Sequence, residues 1–140
     1  MTGEGSLEDA ERVKKLLAIV DDWEKLEVYE TRLSPYFEVH CAPFGSYGIQ
    51  MARESTAGHR PDLILIDLVF EDMNEFEADA ILAADPELSS IPRVLITDAG
   101  SAAAVRQESA RSQFISRPYD FNELLRILQR HGTTEAKPAP

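Results

Sequence analysis

LLAIVDDW (16–23) sets five apolar residues directly against two adjacent aspartates and the chain's only tryptophan. A continuous apolar run of this length reads as a strand covered on both faces, the pattern of a parallel sheet. LILID (63–67) and RVLIT (93–97) repeat it, and LILID also ends on an aspartate. FEVHCA (37–42) differs, because Phe37, Val39 and Cys41 alternate with Glu38, His40 and Ala42. That alternation suits an edge strand, and the short QFIS (113–116) suits the other edge.

Helical spacing fills the intervals. Leu26, Tyr29 and Leu33 share a face before Pro35, and Met73, Phe76, Ala80 and Ala83 share one before Asp85-Pro86. In the last helix Asp120 stands in capping position with Glu123 three residues on, Phe121, Leu124, Leu125 and Leu128 form the stripe, and Gly132 ends it. Weaker helical signals lie near 45–57 and 101–110. Five strands alternating with five helices predict an α/β fold of right-handed crossovers. With strands 2 and 5 as edges, the expected architecture is a flavodoxin-like doubly wound five-stranded parallel sheet of order 2-1-3-4-5. Its ligand crevice lies at the carboxyl ends of strands 1 and 3, where the aspartates fall.

The 140 residues suffice for one domain that buries roughly 70% of its unfolded surface. Residues 1–14 read as a flexible N-terminal segment, 15–131 as the folded domain and 132–140 as a flexible Pro-rich tail. The formal charge is −11, from 25 acidic and 14 basic residues. With no basic cluster, neither nucleic acid nor an anionic membrane surface is an expected partner. The lone Cys41 cannot form an internal disulfide and suits a reducing, cytoplasmic setting. The N-terminus lacks an apolar signal core, and LILIDLVF is too short to span a bilayer.

Asp21, Asp22 and Asp67 are thus expected at one rim. Three carboxylates at close range raise one another's pKa unless a cation intervenes, and an oxygen-rich site of this kind suits magnesium (Mg2+). A blander alternative stands beside it: Asp22 caps the first helix, Asp21 is solvated and Asp67 caps the segment after its strand. Thr97 closes the fourth strand and Arg117 follows the fifth, so a hydroxyl and a cation flank Asp67, as an attached phosphoryl group would require.

AIVDDW, LILIDL, VLIT and FISRPYDFNEL, in this order and spacing, resemble the receiver domain of two-component response regulators over residues 16–131. The resemblance implies Asp67 as phosphoacceptor and Asp21, Asp22, Asp67 and the Val69 carbonyl as Mg2+ ligands. It makes Thr97 the switch hydroxyl, Phe114 the switch aromatic, and Arg117-Pro118 the counterpart of a Lys-Pro bond that is commonly cis. The implied function is transfer of a phosphoryl group from a sensor histidine kinase or phosphotransfer protein to Asp67. The domain assists that transfer without being an enzyme in its own right. Output then passes to a downstream protein target through contact, from a stand-alone receiver or a piece of something longer. The family's usual interaction surface runs from the fourth helix through the fifth strand to the fifth helix, with Phe114 at its centre.

Several positions depart from that pattern. Arg117 replaces the usual lysine, and its planar fork can clamp Asp67 and compete with a metal. Asp98 replaces a small residue and opposes an incoming phosphoryl group unless it pairs with Arg117. Phe70-Glu71 stands where Met-Pro is common, and Glu75 where a small turn residue is usual. Val69 and Ala99 carry no polar group to orient a hydrolytic water, so an aspartyl phosphate here is expected to hydrolyse slowly.

These departures define the alternative, a pseudo-receiver that binds partners without phosphorylation. A haloacid-dehalogenase-type phosphatase would need an acid at position 69, which is Val69. A flavin carrier would need a phosphate-cradling loop where VDDWEK stands.

Overall fold

The three apolar runs become the three central strands. The computed structural model describes residues 13–55, 59–69, 73–98 and 111–132. They form β1 (Lys15–Val20), α1 (Trp23–Leu33), β2 (Glu38–Ala42), α2 (Gly45–Glu54), β3 (Leu63–Asp67), α3 (Glu75–Ala84), β4 (Arg93–Asp98), β5 (Ser112–Arg117) and α4 (Phe121–Gly132). All strand pairings are parallel, in the order β2-β1-β3-β4-β5 expected from the sequence.

Alternate residues of each central strand enter opposite cores, which is why these strands carry no polar alternation. Leu16, Ala18, Val20, Leu63, Leu65, Val94 and Ile96 pack against Leu26, Tyr29 and Leu33 of α1 and Leu124 and Leu128 of α4. On the other face Leu17, Ile19, Ile64, Ile66 and Leu95 meet Ile49 and Ala52 of α2 and Ala78 and Leu82 of α3. The α2 helix lies close to the sheet at Gly48, where an added Cβ would stand 2.6 Å from Cγ1 of Ile19.

Local chemistry sets the helix starts. The Asp22 carboxylate accepts the Glu24 amide at 3.0 Å, and Asn74 and Glu77 form a reciprocal capping box on α3. The four helices described compare with five expected; the expected helix at 101–110 lies outside the described residues, as do 1–12, 133–140, Phe70-Glu71 and Ala99. Among the described residues, no helix is long and apolar enough to cross a membrane.

The expected stripe of α3 needs correction. Its buried residues are Glu75, Ala78, Asp79 and Leu82, whereas Ala80 and Ala83 are exposed. Asp79 can be buried because Nε of Arg93 donates to it and the Ser112 hydroxyl donates to Oδ1 at 2.9 Å. Arg93 is itself buried, and its remaining nitrogens donate to the Ile91 carbonyl at 2.8 Å, the Ser89 carbonyl at 3.1 Å and the Ser112 hydroxyl at 3.1 Å. A charge partnered this fully is tolerated inside, and it rotates the helix away from its purely apolar stripe.

Candidate functional site

Parallel register brings four strand ends to one rim. Val20 pairs with Asp67 across β1 and β3, so Asp21 and Asp22 leave the sheet just beyond the β3 carboxylate. Asp98 pairs with Arg117 across β4 and β5. Thr97, 2% exposed, is the next-to-last residue of β4, beside the strand that carries Asp67.

Asp67 is 1% exposed, and a buried carboxylate persists only when cations and donors replace water. Arg117 Nη2 donates to Oδ1 at 2.7 Å, and Lys25 Nζ lies 3.6 Å from the same oxygen. Tyr29 Oη donates to Oδ2 at 2.7 Å. Lys25 and Tyr29 stand four residues apart on α1, so one helix face supplies both contacts.

Further partners fix the protonation of this cluster. Burial, then the Asp67 charge, push the Tyr29 phenol far above its ordinary value, so it stays a donor. Its hydrogen is committed to Asp67, and Tyr119, whose pKa is also raised chiefly by burial, therefore donates to the Tyr29 oxygen. Burial works against the charge of Arg117, but its hydrogen bond to Asp67 and the charges of Asp67 and Asp98 outweigh it and raise its pKa. Nη1 of Arg117 donates to Asp98 Oδ1 at 3.0 Å, the pairing anticipated for that unusual aspartate. Nε of Arg117 is buried without a hydrogen-bond partner among the described residues. The Arg117-Pro118 peptide is cis.

The other residues singled out in the sequence take different partners. Asp21 Oδ1 accepts the Val69 amide at 2.9 Å, tying the β1–α1 corner to the segment after β3. Asp22 caps α1, as the blander alternative held. Phe114 stacks on Phe76 of α3 with ring centroids 5.7 Å apart.

As arranged, this acidic set does not fit a divalent ion. Oδ1 of Asp67 faces two cations, Oδ2 takes a phenolic hydrogen, and Asp21 and Asp22 are engaged with backbone amides. Among the described residues, no three His, Cys, Asp or Glu side chains converge as a ligand group. Unit charges 4 Å apart attract by about 4 kcal/mol at an effective dielectric near 20, so an ion arriving at Asp67 competes with contacts of that order.

A cleft of about 530 Å³ gives access to the cluster, lined by Lys25, Val28, Tyr29, Asp67, Arg117, Pro118 and Tyr119. A second cleft, of about 290 Å³, includes His40, Met51 and His59 and contains none of these residues. Sequence reasoning passed over Lys25, Tyr29 and Tyr119. For Tyr29 a signal was available: a tyrosine on the buried face of a helix needs a partner for its hydroxyl, and β3, in the sheet that this helix covers, ends in a carboxylate.

No family model matches the chain. The chain is 29% identical to the protein PilH of Pseudomonas aeruginosa over 119 residues, 80% of this chain and 93% of PilH. It is 34% identical to the response regulator PleD of Caulobacter vibrioides over 108 residues, 74% of this chain, and spans 23% of PleD. The fold matches the receiver domain of a sensor histidine kinase from P. aeruginosa, described with a magnesium ion in its active-site cleft. The TM-score is 0.72 at 21% identity, covering 87% of this chain and 99% of that one.

Proposed function

Since the chain is a receiver domain of the response-regulator type, we propose that it is a signalling module whose Asp67 accepts a phosphoryl group and whose output is contact with another protein. One observation carries this reading: a buried carboxylate at the end of the central strand, beside two cations and opening on a cleft. A carboxylate is a nucleophile that needs no general base to remove a proton in the attack.

The donor is a phosphohistidine on a sensor histidine kinase or phosphotransfer protein. The Asp67 oxygen attacks phosphorus, the O–P bond forms, the N–P bond breaks and the imidazole leaves. Arg117 and Lys25 face the negative charge of the transferred group, and Thr97 lies at the neighbouring strand end as a hydroxyl donor. The active unit spans residues 15–131 and works in the cytoplasm. Magnesium at Asp21, Asp22, Asp67 and the Val69 carbonyl, expected from the sequence, would have to displace Arg117 and Lys25 from Asp67.

Added charge at Asp67 breaks the balance among Arg117, Asp98 and Tyr29 and shifts the strand ends that carry them, with Phe114 as the aromatic that follows. The test is incubation with a small phosphoryl donor followed by intact mass measurement. A phosphoryl adduct that Asp67→Asn abolishes supports the reading. A folded protein that takes none from either the small donor or a phosphorylated kinase overturns it in favour of a pseudo-receiver.

A further inference from the structure

We infer that Lys25 and Arg117 take the place of a divalent ion, so that Asp67 accepts a phosphoryl group from an acyl phosphate without metal. The inference rests on the phosphoacceptor reading and adds the source of charge neutralisation.

In a metal-assisted site one dication faces the carboxylate and the phosphoryl oxygens together. Here two single positive charges lie against one oxygen of Asp67, at 2.7 Å from Arg117 and 3.6 Å from Lys25. Their positions are fixed from different elements, Arg117 at the end of β5 and Lys25 in the first half of α1. Arg117 keeps its charge under burial because Asp67 and Asp98 both support it. Its Nε is a buried donor without a hydrogen-bond partner among the described residues, and Lys25, partly open to solvent, lines the cleft where an anion would enter. Meanwhile each further carboxylate expected to bind the metal already has one oxygen engaged: Oδ1 of Asp22 caps a helix and Oδ1 of Asp21 accepts an amide.

The step balances without a metal or an added base. An oxygen of ionised Asp67 attacks the phosphorus of acetyl phosphate, the bond from phosphorus to the acetyl oxygen breaks, and acetate leaves with the electron pair. One acyl phosphate replaces another, and no proton transfer is required.

The experiment has two arms on the intact chain. In the first, Mg2+ is titrated by calorimetry while Trp23, beside Asp22 and 70% exposed, is followed by fluorescence. The expected result is no saturable response for the natural protein and a saturable one for Arg117→Lys, whose compact ammonium retreats from Asp67. In the second, acetyl phosphate labelling is measured by mass in chelator and in Mg2+. Equal labelling is expected, falling roughly a hundredfold in chelator for Lys25→Met or Arg117→Gln variants that retain their circular dichroism. Saturable Mg2+ binding by the natural protein, or labelling that chelator abolishes, overturns the inference and leaves Asp67 as acceptor. Absence of label in both conditions overturns the acceptor reading and this inference with it.

Discussion

At Asp67 a phenol does work that the neighbouring cations cannot. Arg117 and Lys25 both approach Oδ1, which leaves Oδ2 dependent on Tyr29. Hydrogen bonds to charged groups contribute about 1.5–3 kcal/mol, so Tyr29→Phe is expected to lower unfolding stability by that amount in urea titrations. The loss should shrink to near zero in an Asp67→Asn background, where no ionised oxygen needs the donor; an unchanged loss would show that ring packing, not the hydroxyl, is responsible. This residue also marks the limit of what was legible beforehand. Asp67 stood out as a carboxylate ending an apolar strand, and Thr97, ordinary by itself, gained meaning from its place beside it. Tyr29 counted only as apolar surface in a helical stripe, and Lys25 gave no signal of its own, since helical spacing says which face a residue shares but not which strand end faces it.

Among the elements, α3 shows how polar chemistry overrides an apolar pattern. Asp79, Arg93 and Ser112 join α3 to the starts of β4 and β5 through buried, mutually satisfied groups. Removing one partner strands a buried charge, so Asp79→Ala is expected to cost about 3–5 kcal/mol in thermal or urea unfolding. A loss below about 1 kcal/mol would mean that water reaches Arg93 readily. The stripe of Met73, Phe76, Ala80 and Ala83 was a fair reading of hydropathy, but it had no means of knowing that an arginine from β4 would meet Asp79.

The other end of the sheet face supplies a pH-dependent contact. His131, near the end of α4, shares a 2.7 Å hydrogen bond with Gln113 of β5. Burial, and then the charge of Arg130, hold its pKa below the ordinary 6.5. The unfolded chain therefore takes up the proton first, and stability is lost as pH falls from about 6.5 toward the lower folded value. His131→Gln should flatten that part of the stability–pH curve. A curve of unchanged slope would assign the dependence to other groups.

For the whole molecule, strand order and the two cores followed from run length and alternation, because a doubly covered parallel strand has a distinctive composition. At the rim the contacts of Arg117 with Asp67 and Asp98 were anticipated, but those of Lys25, Tyr29 and Tyr119 were not, since they depend on how far α1 leans toward β3. At this scale the relevant prediction concerns persistence. Val69, exposed beside the site, offers no polar group to steer a water toward phosphorus. The aspartyl phosphate should decay over hours rather than seconds at neutral pH, followed by mass after removal of donor. Decay within seconds would require a polar group that positions the attacking water.

Tyr119 lies two residues beyond Arg117 and two before α4, and its hydroxyl reaches α1 through Tyr29. On the same sheet face, Arg32 of α1 stands 3.8 Å over the ring of Phe121 at the start of α4. Asp67 is thereby tied to α1 directly and to the segment leading into α4 through Tyr119, while its hydrogen bonds reach neither helix of the other layer. A load applied at Asp67 should travel unevenly through the thickness of the domain. Amide exchange compared before and after phosphorylation should change first in α1 and the start of α4, with α2 nearly silent.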